Sequence, residues 1–427
     1  MERVMVSEYA GTDKAATEKA KKPWLSIVGI GEDGLSGLGD NARRAIESAA
    51  VVFGGVRHLE LAASAIKGEA RSWPTPFDVE MSEVVALRGH KVCVLASGDP
   101  FFYGVGVTLL RKIAAEETVS HPLPSAFSLA ASRLGWALQS VECVSLHGRS
   151  IDLIRPHLHQ GAKIIALTSD AQAPALIAKL LSETGFGHST FLLLEALGGQ
   201  RERLRHAKAQ DFSLENIDPL NVVAIDIVAD ANARVLPYTS GLDDALFEHD
   251  GQITKREIRA VTLSSLAPRH GELLWDIGAG SGSIGIEWML SHPSLKAIAI
   301  EQHSQRAERI ARNAEAFGVP GLEILIGTAP EAFEGLPRAD AIFIGGGGSE
   351  KGVLDGAIEA LKPGGRLIAN AVTLEMEAML LAAQARLGGS LIRLDVSRAS
   401  AVGSMSGWKP AMPVTQWSWT KSRDDET

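Results

Sequence analysis

Cysteine is almost missing from this chain: Cys93 and Cys143 are the only two in 427 residues. Two thiols cannot build a disulfide framework or a four-ligand zinc site. Both are expected to be core residues of a reduced, cytosolic protein. Long apolar runs are missing as well: no stretch of about 18 uncharged apolar residues offers a membrane span, so no membrane partner is expected. Met1 to Lys22 lacks the apolar segment of a secretory signal and is expected to form a disordered tail. Positive charge is short, with 42 Lys and Arg against 51 Asp and Glu and a net charge of −9. A broad basic face for nucleic acid is thereby disfavoured, because such binding rests on Lys and Arg neutralising phosphates. No His-Glu-x-x-His or paired-cysteine motif occurs, and no metal site is expected.

What is present is length and ordinary globular composition, 45% hydrophobic and 22% charged. Single cores stop growing at roughly 250 to 300 residues, so two domains are expected. From Trp24 to about Asp230, short apolar runs alternate with helical patterns: WLSIVGIG, AVVFGG, KVCVLASGDP, KIIALTSD, TFLLLEALGG and NVVAIDIV. Runs this short, rich in Val, Ile and Leu and bounded by Gly or Asp, read as strands covered on both faces. The architecture is therefore α/β. His121 to Pro124, with two prolines, is a candidate joint between two lobes. A second series follows: ELLWDIGAG, KAIAIE, LEILIG, DAIFIGGGG, GRLIANAV, SLIRLDV and VTQWSWT. The expected division is a tail at 1–22, a first unit at 23–234, a linker at 235–250 and a second unit at 251–427.

The second unit carries the stronger chemical signal. Its strand ELLWDIGAG runs into Ser281-Gly282 and then a helix, with Gly278, Gly280 and Gly282 free to turn the backbone sharply against a ligand. The next strand ends in Glu301, roughly 20 residues later, where such folds place an acid on ribose hydroxyls. A dinucleotide needs G-x-G-x-x-G so that pyrophosphate sits on the helix N-terminus; here the order is D-I-G-A-G-S-G, beginning at Asp276. That pattern, with the later LKPGG turn at Leu361 to Gly365, resembles the class I methyltransferase motif. The resemblance implies S-adenosyl-L-methionine, held by Asp276, Gly278, Ala279, Gly280, Ser281, Gly282 and Glu301, with adenine near Gly327, Thr328 and Ala329.

HDGQITKREIR, GTAPEAF and FIGGGGS narrow the resemblance to the carbon-15 methyltransferase and decarboxylase module of corrin biosynthesis, over about Phe247 to Thr420. By that likeness Thr254 touches the cofactor. Gly345 to Gly348 replaces the acid-or-Asn, Pro-Pro-aromatic run of amino-directed methyltransferases, and offers amides and space to a bulky substrate with a carbon nucleophile.

In the first unit the informative run is LASGDPFFYGVG, where Asp99 stands at a strand's carboxyl end and Pro100 at an expected helix start. With GGVRHL, PSAFSLAASRLGW, SLHGR, ALTSD and LLEALGGQRE, it resembles the tetrapyrrole methylase family, in the branch that methylates carbon 5 of the corrin precursor. The likeness spans about Trp24 to Asp230. It implies a two-lobed fold holding a second S-adenosyl-L-methionine at Gly29, Ser97, Gly98, Asp99, Phe102, Ser125 and Ser128. GEDG stands where the family commonly has GPGD, which weakens any role for Glu32 or Asp33.

Together the two likenesses imply methylation of a precorrin-6Y-like tetrapyrrole at carbons 5 and 15 with loss of the ring C acetate as carbon dioxide, giving precorrin-8X. The nucleophile is then an enamine-like carbon of the substrate, so no Ser-His-Asp or Cys-His constellation is needed. A polycarboxylate substrate asks for cationic or amide donors. Candidates are His147, Arg149, Arg201 and Arg203 in the first unit. In the second they are Lys255, Arg256, Arg259, Arg398 and the amides of Gly346 and Gly347. No catalytic acid is identified. A cobalt-bearing substrate and an RNA methyltransferase are the alternatives, the acidic balance counting against RNA. Both families commonly oligomerise, so a homo-oligomer is expected.

Overall fold

A computed structural model of the chain describes residues 23–423; the expected disordered tail lies outside them. Three large sheets account for nearly all the apolar runs. The first holds β1 (Leu25–Ile30), β2 (Val51–Gly54), β3 (Glu69–Ser72), β4 (Val92–Ser97) and β5 (Thr118–His121). These are all parallel, in the order β3-β2-β4-β1-β5. The second holds β6 (Glu142–Ser145), β7 (Lys163–Leu167), β8 (Thr190–Glu195), β9 (Arg203–Lys208) and β10 (Asn221–Asp226), ordered β6-β7-β10-β8-β9 and mostly antiparallel.

The third comprises β11 (Leu273–Ile277), β12 (Lys296–Glu301), β13 (Glu323–Ile326), β14 (Ala339–Ile344), β15 (Leu361–Ala371) and β16 (Ser390–Leu394). A small exposed hairpin follows, of β17 (Ser397–Val402) and β18 (Met405–Pro410), before β19 (Val414–Thr420) returns to the sheet. The order is β13-β12-β11-β14-β15-β19-β16, with β19 antiparallel to both neighbours.

Strand alternation explains why each sheet is covered on both faces. In β12, Ala297 and Ala299 join the core under the helices Arg256–Leu266, Ser283–Ser291 and Ser304–Ala316, while Ile298 and Ile300 join the core under Val353–Ala360 and Leu374–Leu387. The first sheet divides likewise, Leu25 and Ile27 on one side and Val28, Ile30 and Cys93 on the other. Cys93 is fully buried and its thiol is pushed up to about 12 by that burial; Cys143 is half-buried, and both are free thiols.

The proline pair of His121 to Pro124 falls between the last strand of the first sheet and the helix Ala126–Leu134, whose Phe127, Ala130 and Ala131 pack on the second sheet through Ile165, Leu194 and Val222. That change of partner divides the first unit into two lobes. Three expectations need correction. Pro100 does not start a helix: the next helical turn begins at Gly106, after an irregular stretch of exposed aromatics. The LKPGG turn does not precede its strand but interrupts β15, where pairing to β14 jumps from Leu361 opposite Ala339 to Arg366 opposite Ala341 and Gly364 has a φ of +75°. The interval expected as a linker is packed rather than loose, because Leu236, Leu242 and Phe247 are buried in the core of the third sheet.

Candidate functional site

Two places gather the expected residues, one at the carboxyl edge of each parallel sheet, where open α/β sheets bind ligands. In the third sheet, β11 ends in a turn whose Gly278 and Gly280 have φ of +68° and +59°. A side chain at Gly278 would put its Cβ 2.4 Å from the Gly346 carbonyl oxygen, so the turns after β11 and β14 are in backbone contact. The Gly278 and Ala279 amides donate to the Ile300 carbonyl at 3.0 and 3.2 Å. Glu301 is buried at the end of β12, where its carboxylate accepts from the Gly280 amide at 2.9 Å and the His303 amide at 3.0 Å. The acid thus braces the glycine turn while remaining on the cavity wall.

That wall encloses a cavity of about 790 Å³, within the ordinary range for small-molecule sites. Thr254, Lys255, Gly278, Ala279, Gly280, Glu301, Gly327, Thr328, Ala329, Gly346, Gly347 and Arg398 all line it. Three other expected cofactor residues, Asp276, Ser281 and Gly282, are buried behind it. Asp276 Oδ2 accepts from the Gly285 amide at 3.0 Å. Burial pushes its carboxyl up to about 7, opposed by that hydrogen bond and aided by the nearby Glu301 charge. Ser281 Oγ is buried without a partner.

The cations on the wall are already engaged. Lys255 lies 3.6 Å from Asp244, Arg306 lies 3.0 Å from Asp250, and Arg398 pairs with Glu257. Arg259 must be withdrawn as a substrate contact. It is fully buried, pairs with Glu287 and with Asp244, and donates to the carbonyls of Leu242 and Thr254. Glu287 also accepts from the amides of Gly241 and Leu242. This buried pair therefore ties the 241–254 segment, and with it Thr254, to the helices Arg256–Leu266 and Ser283–Ser291; the KREIR run could not reveal which of its basic residues points inward. Arg256 is exposed beside it.

In the first unit Gly29, Gly98 and Ser125 meet at the junction of the two lobes. A Cβ on Gly29 would fall 1.8 Å from the Gly98 carbonyl oxygen, and one on Gly98 would fall 2.7 Å from that of Pro124. Leu123 donates to the Gly98 carbonyl at 3.1 Å. Ser125 caps the following helix by accepting from the Ser128 amide at 3.2 Å, and the two hydroxyls lie 3.1 Å apart. Asp99 accepts from the Phe101 amide at 2.8 Å, and Phe102 packs 4.9 Å from Phe127 on the same helix.

The candidate cations here fare unequally. Arg203 is committed to the fully buried Glu195, which Arg205 also holds; this removes Arg203 from the substrate candidates. Arg201 pairs with Asp218 and lies 3.8 Å from Glu32. His147 Nδ1 is 3.1 Å from the Thr168 carbonyl oxygen, and His147 and Arg149 are both exposed. Sequence reading missed Arg57 and His58, which converge on Ser97; the GGVRHL run was the signal that could have found them.

Known proteins resemble both parts. A profile of tetrapyrrole (corrin/porphyrin) methylases matches residues 25–213, and one of a precorrin methyltransferase domain matches residues 245–421. The precorrin-6Y C(5,15)-methyltransferase [decarboxylating] of a Sinorhizobium species is 64% identical over 399 residues, covering 93% of this chain and 97% of that protein. A cobalt-precorrin-6B C(15)-methyltransferase (decarboxylating) of Salmonella typhimurium is 36% identical over 166 residues, 38% of this chain and 85% of that one. Among solved structures, the C-terminal domain of precorrin-6Y C5,15-methyltransferase from Rhodobacter capsulatus is 46% identical, covers 44% of this chain and all of that one, and superposes with a TM-score of 0.42. With near-complete mutual coverage at 64% identity, the chain belongs to the family of precorrin-6Y C(5,15)-methyltransferases (decarboxylating).

Proposed function

We propose that this chain methylates precorrin-6Y at carbons 5 and 15 and removes the ring C acetate carboxyl as carbon dioxide, giving precorrin-8X of cobalamin biosynthesis. The unit at 23–234 serves carbon 5 and the unit at 251–427 serves carbon 15 and the decarboxylation. The observation that carries this reading is the near full-length identity to a relative bearing both activities in its name. The division between units is supported by the length of the relative named for carbon 15 alone, which aligns with only 38% of this chain. The motifs of the second unit point the same way.

Each unit binds one S-adenosyl-L-methionine, which supplies an electrophilic methyl on a sulfonium. The second cleft fits it: the left-handed glycine turn admits a ligand against bare backbone, and Glu301 stands at its rim with an oxygen-rich face suited to ribose hydroxyls. Thr254, Gly278, Ala279, Gly280, Glu301, Gly327, Thr328 and Ala329 form its walls; from behind, Asp276 accepts from the Gly285 amide of the following helix, and Ser281 and Gly282 lead the turn into that helix. In the first cleft the corresponding residues are Gly29, Ser97, Gly98, Asp99, Phe102, Ser125 and Ser128. The protein's work is to hold the carbon nucleophile in line with the methyl and to exclude water.

Lys255, Arg398 and the amides of Gly346 and Gly347 receive substrate carboxylates in the second cleft, and His147, Arg149 and Arg201 do so in the first. The chain acts as a cytoplasmic homo-oligomer. Supplying methyl-carbon-13 donor and precorrin-6Y tests the activity: label at both carbons 5 and 15, together with trapped carbon dioxide, is expected. Label at neither carbon contradicts the assignment, and turnover only of the cobalt-bearing analogue reassigns the substrate.

A further inference from the structure

The Gly54-Gly55-Val56-Arg57-His58-Leu59 run delivers two basic side chains to the first cleft, and the methyl-donor account uses neither. His58 Nε2 lies 2.9 Å from Ser97 Oγ and 3.0 Å from Arg57 Nη2. A guanidinium can only donate, so Nε2 is the accepting nitrogen and the ring proton sits on Nδ1. That Nδ1 is buried without a partner. Burial, and then the Arg57 charge, lower the imidazole to about 4, so at neutral pH it is an unprotonated, weak base whose Nε2 lone pair faces both the Arg57 N–H and the Ser97 hydroxyl.

The surrounding charges come from both lobes. Arg57 is held by Glu32; Glu32 also faces Arg201, which pairs with Asp218. Ser97 stands exposed at the carboxyl end of β4, next to the Gly98 and Asp99 turn. The residue is therefore reachable from the crevice, while its hydroxyl lies against His58 and Arg57.

We propose that Ser97 and His58 form a proton relay for methylation at carbon 5, Ser97 Oγ taking the proton that the substrate must lose while its own hydroxyl proton passes to His58 Nε2. The proposal rests on the reading that the first unit serves carbon 5. Methylating a meso carbon that carries hydrogen forms one carbon–carbon bond and breaks the methyl–sulfur bond, whose electron pair stays on the thioether. The substrate is left cationic. Its carbon–hydrogen bond then breaks, the electron pair restores the ring double bond, and the proton passes through Ser97 to His58 Nε2; with Nδ1 buried and unpartnered, it returns through the exposed Ser97 to solvent once product has left.

A proton next to a conjugated cation is acidic enough for a weak base, and a weak base releases it quickly at neutral pH. Arg57, itself held by Glu32, is a positioning residue: it lies 3.3 Å from Ser97 Oγ and fixes the imidazole tautomer.

The test uses the full chain, precorrin-6Y and methyl-carbon-13 donor, reading the single-turnover rate at which label enters carbon 5. His58→Gln and Ser97→Ala are expected to slow that rate by about 100-fold or more, with S-adenosylhomocysteine affinity of His58→Gln unchanged in calorimetry. Added imidazole restores part of the rate to His58→Ala. Nitrogen NMR of the wild type shows a neutral, Nδ1-protonated His58 at pH 6. An unchanged rate in His58→Gln overturns the relay alone, as does a loss that tracks weakened S-adenosylhomocysteine binding, or an imidazolium at pH 6. A wild type that leaves carbon 5 unlabelled overturns the relay together with the reading beneath it.

Discussion

Asp276 and Arg398 show how far a single side chain's setting decides its use. The Asp276 carboxyl ionises near 3.8 when unfolded and near 7 in the fold. The folded state therefore keeps a proton that the unfolded chain gives up, and stability falls as pH rises through that window. The gap corresponds to about 4 kcal/mol at most. Asp276→Asn is expected to melt higher than the wild type at pH 8 and alongside it at pH 4; calorimetric scans at both pH values check this, and equal shifts contradict it. Arg398 reaches the cavity already paired with Glu257. If it receives a substrate carboxylate it must leave that acid. Glu257→Gln should then lower the substrate KM a few-fold and Arg398→Gln should raise it roughly 10- to 100-fold, the loss of a charged hydrogen bond being about 1.5–3 kcal/mol. Steady-state kinetics with precorrin-6Y reads both, and a rise in both variants contradicts the role. Glu301 was read from its spacing after the glycines, and Asp276 from the resemblance of its motif to that of class I methyltransferases. That Asp276 lies behind the wall was not, since burial depends on the helix that follows.

At the scale of elements, the apolar runs were legible because both faces of those strands are covered. The strands that escaped notice are those without such a pattern. β3, β5, β6 and β9 are the edge strands of the first two sheets, with mostly exposed or half-buried side chains, and β17 and β18 form an exposed hairpin. An edge strand needs apolar residues on one face at most, and charge on it is protective. The segment at 235–250 looked like a linker because Pro237, Ser240, Gly241 and several acids interrupt the pattern. Its three buried apolar side chains lie too far apart to show a period. What fastens it is the Arg259–Glu287 pair, and removing one buried partner costs about 3–5 kcal/mol. Arg259→Met is expected to lower the unfolding free energy by that amount, read as a fall in denaturant midpoint at unchanged slope. Adding Glu287→Leu should recover part of the loss and not all, because the amides of Gly241 and Leu242 lose their acceptor. Full recovery in denaturant titrations contradicts this description of the clamp.

For the molecule as a whole, the same carboxyl-edge geometry is used twice by unrelated glycine turns. One approaches Gly98 from Gly29 and the other approaches Gly346 from Gly278. Both motifs were legible because a close backbone approach leaves glycine as its trace in the sequence. The pairing state of the surrounding cations was not legible, since their partners lie far away in the chain, as Glu257 does from Arg398. The RNA alternative gives way to the corrin reading on the near full-length relationship to a precorrin-6Y enzyme. Among the described residues, no helix is long and apolar enough to cross a membrane. The mass of the product formed by the purified chain from precorrin-6Y and S-adenosyl-L-methionine tests the central claim most directly. The account predicts a gain of two methyl groups with the loss of one carbon dioxide; a product that gains only one methyl, or that keeps every carboxyl, contradicts it.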